Sequence, residues 1–123
     1  MKFCTAINCM DGRVQLPVIQ YLKARFNATY VDTITEPGPN AILATQSDDV
    51  LLQSINTRVE ISLKRHGSNS IAIVGHHDCA GNPISKTHQL KQIALSNKYL
   101  SDRYPTANVI GLWVNENWEV EEV

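Results

Sequence analysis

Charge is scarce and evenly divided. Lys and Arg number 11 and Asp and Glu 12, a net of −1. Such a balance leaves no electrostatic footprint for nucleic acid or for an anionic membrane surface. No same-sign run exceeds two residues, Asp48-Asp49 and Glu121-Glu122 among them, so there is no charged interaction tail. Long apolar runs are missing too. Nothing approaches the roughly 18–20 residues that span a bilayer, and no membrane segment is expected. Met1-Lys2 leads at once into Phe3–Ile7, too short for a signal-peptide core and without a small-residue cleavage site behind it. The default compartment is therefore the cytoplasm. The three cysteines, Cys4, Cys9 and Cys79, are too few for a disulfide framework there, which leaves ligation, nucleophilic chemistry or packing. Repeats, low-complexity tracts and linkers are absent, and 123 residues make one domain, 1–123.

What the sequence does contain is an alternation of short apolar runs with helical spacing. Phe3–Asn8 suits a strand buried on both faces. Cys9–Arg13 turns, Pro17 fits the first turn of a helix, and Val18, Tyr21, Leu22 and Phe26 continue it to a stop at Asn27. Tyr30–Ile34 is β-branched and reads as a second strand. Two prolines predict irregular chain over Glu36-Pro37-Gly38-Pro39-Asn40. Ser47 or Asp48 caps a second helix with the stripe Leu51, Ile55, Val59 and Leu63, which stops at His66-Gly67. Ser70–Gly75 is a third strand and His76–Pro83 a loop. Leu90, Ile93, Ala94, Asn97, Leu100 and Tyr104 mark a third helix, ended by Pro105. Asn108–Val114 is a fourth strand, and Trp118–Val123 a short edge strand. This order predicts a small α/β fold: three layers, a parallel sheet in the order 2-1-3-4, helices on both faces, and a short C-terminal edge strand.

Ligand sites in such sheets lie beyond the carboxyl ends of strands whose connections leave to opposite faces. Cys9–Arg13 follows the first strand and His76–Cys79 the third. If those strands are neighbours, the two loops meet. Zinc prefers thiolate and imidazole donors in tetrahedral array. His76-x-x-Cys79 puts two of them in one tight loop, and Cys9 adds a third from the adjoining strand end. Cys4, inside the first strand, is assigned to packing. Three protein ligands leave one position open, as in catalytic zinc sites, where bound water is acidified towards pKa ~7 and becomes a usable hydroxide. Asp11 could accept the proton of that water and aim its lone pair, and Arg13 could hold the carboxylate bidentately and ionised.

Cys9-Met10-Asp11-Gly12-Arg13 resembles the C-x-D-x-R motif of the β-class carbonic anhydrases, and Gly75-His76-His77-Asp78-Cys79-Ala80-Gly81 resembles their G-H-x-D-C-x-G segment. The spacing between the motifs and a closing strand near Val109–Val114 agree, so the resemblance spans nearly the whole chain. It implies Cys9, His76 and Cys79 as zinc ligands, Asp11 and Arg13 as the catalytic dyad, reversible hydration of carbon dioxide to bicarbonate, and a homodimer as the basic unit. Two departures stand out. The family's helical arm ahead of the first strand has no counterpart, and its Arg-Asn-Ala-Gly-like stretch after the second strand reads Thr35-Glu36-Pro37-Gly38-Pro39-Asn40. Gly38 is a candidate to bring backbone close to the metal.

The expected function is thus zinc-dependent carbon dioxide hydration. A rival reaction is hydrolysis of carbonyl sulfide or carbon disulfide, and a rival class is a zinc-stabilised binding or regulatory module. His77 is either a proton relay or an exposed residue behind the ligands. His66 and His88 are expected in solvent. Asp78 could bond loop amides or orient a ligand, and Trp113 and Trp118 are read as core and edge packing.

Overall fold

Five strands and four helices alternate in a computed structural model that describes all 123 residues. In order they are β1 (Phe3–Cys9), α1 (Gly12–Phe26), β2 (Tyr30–Glu36), α2 (Pro39–Thr45), α3 (Asp49–Arg65), β3 (Ser70–His76), α4 (Lys86–Arg103), β4 (Asn108–Val114) and β5 (Val120–Glu122). The sheet order is β2-β1-β3-β4-β5, with the first four strands parallel and β5 antiparallel to β4. This is the expected three-layer fold with its edge strand at the C-terminus.

The two faces are covered unequally. Val14, Val18, Leu22 and Phe26 of α1 pack on Cys4, Ala6, Ala72, Val74 and Leu112. On the other face Leu43 of α2, Ile55 and Val59 of α3, and Ile93 and Leu100 of α4 close over Ile7, Ile71, Ile73 and Trp113. Every residue of β3 is buried, which explains its unbroken apolar reading. Cys4 is fully buried in the first cluster, as packing requires, and burial pushes its thiol up to about 11, with Asp32 adding to the effect.

Two local expectations are corrected. Pro17 lies in the second turn of α1 rather than the first. Asp11 caps the helix by accepting from the Arg13 amide, so the helix opens at Gly12. The Glu36–Asn40 segment is not irregular throughout. Glu36 closes β2, and Pro39 opens the extra helix α2 at the one position where its missing N–H costs nothing. Gly38 makes the junction with a left-handed backbone, φ 62°.

The register creates a crevice. β1 pairs with β2 along its whole length, and β3 with β4 likewise. Between β1 and β3, however, pairing covers only Thr5–Ile7 with Ile71–Ile73. Beyond Ile7 and Ile73 the strands part, and their connections go to opposite faces through α1 and α4.

Candidate metal centre

The crevice holds the three residues that the sequence singles out. The donor atoms of Cys9, His76 and Cys79 all lie within 4.8 Å of one another, and all three residues are buried. The two sulfurs stand 3.9 Å apart, close to the ~3.8 Å separation of two thiolates on a tetrahedral zinc with Zn–S near 2.3 Å. His76 Nδ1 donates to the His77 carbonyl at 2.7 Å. That bond fixes the tautomer and leaves the Nε2 lone pair free. Nε2 is buried and has no hydrogen-bond partner. A buried imidazole nitrogen left bare beside two thiols is an unsatisfied cost unless a metal takes it. The donor set fits a borderline-soft ion such as zinc.

The thiols differ. Burial pushes Cys9 up, but the His76 ring and the amides of Gly38 and Asp11 outweigh it and bring Cys9 down to about 7. Burial and the neighbouring Cys9 push Cys79 up instead. Cys9 is therefore the first thiolate.

Asp11 and Arg13 are locked together. Arg13 donates from Nε to Asp11 Oδ1 at 3.1 Å and Oδ2 at 3.2 Å, from Nη2 to Oδ2 at 2.7 Å, and from its amide to Oδ1 at 2.9 Å. The Arg13 bonds hold the Asp11 carboxyl down at about 2. Arg13 turns its remaining N–H groups to Asp78, Nη1 to Oδ2 at 3.2 Å and Nη2 to the carbonyl at 3.1 Å. The two motifs are thus bridged by one guanidinium.

Residues that sequence reasoning missed hold the frame. Gln15 donates to the carbonyls of Cys9, at 2.7 Å, and Asp11, at 2.9 Å. Gln89 grips both backbone groups of His76. Asn82 donates to Asn40 Oδ1 at 3.4 Å and to Gln92 at 2.7 Å. The available signal was a polar residue at a core position of a helical stripe: Gln89 shares the buried face of α4 with Ile93 and Leu100. Gly38 and Gly81 interlock the two loops. A Cβ on Gly38 would meet Asn82 Cβ at 2.6 Å, and one on Gly81 would meet Pro37 Cβ at 2.6 Å. His66 is not simply solvated: it bonds Asp32 at 2.7 Å and stacks on Phe3. His88 is exposed as expected, its Nδ1 2.9 Å from the Ser85 hydroxyl.

A family model described as "Putative carbonic anhydrase" matches residues 1–123, the whole chain. The chain belongs to this carbonic anhydrase family. No curated protein matches it in sequence. Among solved structures it is similar to a β-carbonic anhydrase of the filamentous ascomycete Sordaria macrospora, from a study of two tetrameric enzymes. Identity is 12% and the TM-score 0.56, over 99% of this chain and 80% of that one. It is likewise similar to the β-carbonic anhydrase CafA of the fungal pathogen Aspergillus fumigatus, at 10% identity and TM-score 0.55, over 99% and 74%. At such identities the likeness carries the fold alone, and this member of the carbonic anhydrase family is a distant relative of both.

Proposed function

We propose that this carbonic anhydrase family member is a zinc enzyme that reversibly hydrates carbon dioxide to bicarbonate. The observation that carries the reading is the bare, buried Nε2 of His76 converging with two thiol sulfurs. Cys9, His76 and Cys79 would hold the ion. When bound, zinc supplies a Lewis acid that acidifies a water towards pKa ~7.

The remaining work falls to the chain's own groups. Asp11, with its carboxyl near 2, keeps no proton at neutral pH. It serves as an acceptor that orients a hydroxyl through its Oδ atoms, and the proton itself must pass to a stronger base, such as an imidazole or a buffer anion. Arg13 fixes that carboxylate from three directions. The substrate is small and apolar, so a small opening at the strand ends near Gly38 would suffice to admit it. The proposed unit is a homodimer. Met10, next to Asp11, and Leu16 on α1, each 63% exposed, are apolar side chains that such a dimer could bury. No helix is long and apolar enough to cross a membrane, and the proposed location is the cytoplasm.

The test is stopped-flow hydration from pH 6 to 9 on zinc-replete protein, zinc-depleted protein and zinc-replete Asp11→Asn. Wild type should be fastest, and Asp11→Asn slower by ~10²–10⁴-fold with its zinc retained. If zinc-replete wild type is no faster than the depleted sample at any pH, the chain is a metal-stabilised module instead.

A further inference from the structure

Four residues other than glycine have positive φ. Asn27 and Gln46 are C-caps of α1 and α2, where that conformation is ordinary. The other two, Asp78 at 57° and Trp118 at 60°, lie in different loops, and both touch Arg13. Asp78 accepts from its edge. Trp118 covers its face, with the guanidinium carbon 4.3 Å from the ring centroid. Aspartate tolerates the left-handed region, whereas a bulky aromatic there is an outlier that the surroundings must impose.

Asn115 imposes it. Its Oδ1 accepts from the amides of Asn117 at 2.9 Å and Glu119 at 3.0 Å. Its carbonyl accepts from the Trp118 amide at 2.9 Å, and its own amide donates to Glu119 at 3.0 Å. The turn between β4 and β5 is closed by these four bonds, with the indole over Arg13. The left-handed conformation of Trp118 is that of the last residue in a three-residue hairpin loop, and the turn so formed sets the indole over Arg13.

We infer that Trp118 is a positioning residue for the Asp11–Arg13 pair. A guanidinium donates along its edge and offers its face to an aromatic ring. Asp11 and Asp78 take the edge here, and Trp118 takes the face, so the plane in which Arg13 presents Asp11 is set from both directions. The same indole meets the His77 ring edge-on, 6.4 Å between centroids, and the His77 carbonyl is the acceptor that orients His76. One side chain of the C-terminal turn thus touches the dyad and the segment behind a ligand. The consequence for rate rests on the hydratase reading above; the geometry does not.

The experiment uses zinc-loaded wild type, Trp118→Leu and Trp118→Phe. Leucine keeps apolar packing without a ring face, and phenylalanine keeps a face. Arg13 Hε, observed by ¹H–¹⁵N NMR, is expected to be ring-shifted in wild type, to lose that shift in Trp118→Leu, and to keep most of it in Trp118→Phe. Zinc content should be equal in all three. Hydration kcat should fall roughly two- to fivefold in Trp118→Leu, recover in Trp118→Phe, and show no further loss when Trp118→Leu is added to Arg13→Lys. An Arg13 Hε resonance unmoved in Trp118→Leu overturns the inference, as does loss of zinc from Trp118→Leu, because either makes Trp118 mere packing. If wild type has no hydratase activity, the hydratase reading fails and the NMR comparison alone decides the role of Trp118.

Discussion

Gln89 bonds His76 as a neighbouring strand would. Its Oε1 accepts from the His76 amide at 3.3 Å and its Nε2 donates to the His76 carbonyl at 2.9 Å. Those backbone groups face the side that β1 vacates once its pairing with β3 ends at Ile7 and Ile73. A side chain from α4 therefore stands in for the missing part of the ladder, and does so at a candidate ligand.

Gln89→Leu should leave two buried backbone groups unpaired. The expected loss is about 2–6 kcal/mol of stability, since each unsatisfied buried polar group costs ~1–3 kcal/mol. Zinc affinity should drop by about 10–100-fold, as when groups that orient metal ligands are removed. Denaturant titration of the apoprotein and chelator competition on the loaded protein read the two effects separately.

The three cysteines should behave differently. Cys9→Ser and Cys79→Ser should each lose most zinc in elemental analysis, and Cys4→Ala should keep a full complement. In metal-free native protein Cys9 should alkylate first, because its thiol sits near 7 while Cys4 is pushed up to about 11. Full zinc in both Cys9→Ser and Cys79→Ser would place the ion elsewhere.

Asp11 should titrate with a midpoint near 2 when its carboxyl carbon is followed by NMR, against ~3.9 for an ordinary aspartate. A depressed pKa stabilises the fold in full above about pH 4. That contribution disappears as the pH falls through about 2. Arg13→Ala should move the midpoint up towards the ordinary range. An unchanged midpoint in that variant would show that Arg13 is not what holds the carboxyl down.

His77 is exposed, its amide tied to the Val114 carbonyl at 2.9 Å. On the hydratase reading Asp11 keeps no proton at neutral pH and an outward carrier is needed; exposed His77, next to His76 in the chain, is the one proposed. His77→Ala should slow hydration in dilute buffer by less than about 10²-fold, and added imidazole should restore the rate. Equal rates in dilute buffer would remove His77 from the proton path.

Gly38→Ala and Gly81→Ala should both loosen the site without touching a ligand. The first forces a left-handed alanine into Asn82, and the second drives a methyl into Pro37, whose backbone carbon would lie 2.7 Å away. Each should cost about 1–3 kcal/mol, read by thermal unfolding of the apoprotein. The zinc-loaded forms should also show faster metal exchange.

Much of this was legible in the sequence, because strands buried on both faces leave unbroken apolar runs. Ser70–Gly75 and Asn108–Val114 are of that kind, and both strands were found in place. The two motifs were legible because ligand chemistry needs rare residue types at short spacing. What escaped depends on side chains reaching across the fold. The pairing of Gln89 with His76 spans 13 positions, and that of Asn82 with Asn40 spans 42. Pro39 was misjudged because a proline that breaks one element can open the next. Trp118 was read as packing because only the guanidinium beneath its ring, which no residue pattern makes visible, reveals its aim.

Cys9 and Cys79 are separated by 70 positions, and α1, β2, α2, α3 and β3 all lie between them. An ion shared by these two sulfurs would close a loop containing more than half the molecule. Its donors come together only after β1 and β3 have paired, so metal capture would be a late event in folding. Unfolding would have to release it. Thermal stability should then depend on free zinc, gaining about 1.4 kcal/mol for each tenfold rise above the dissociation constant.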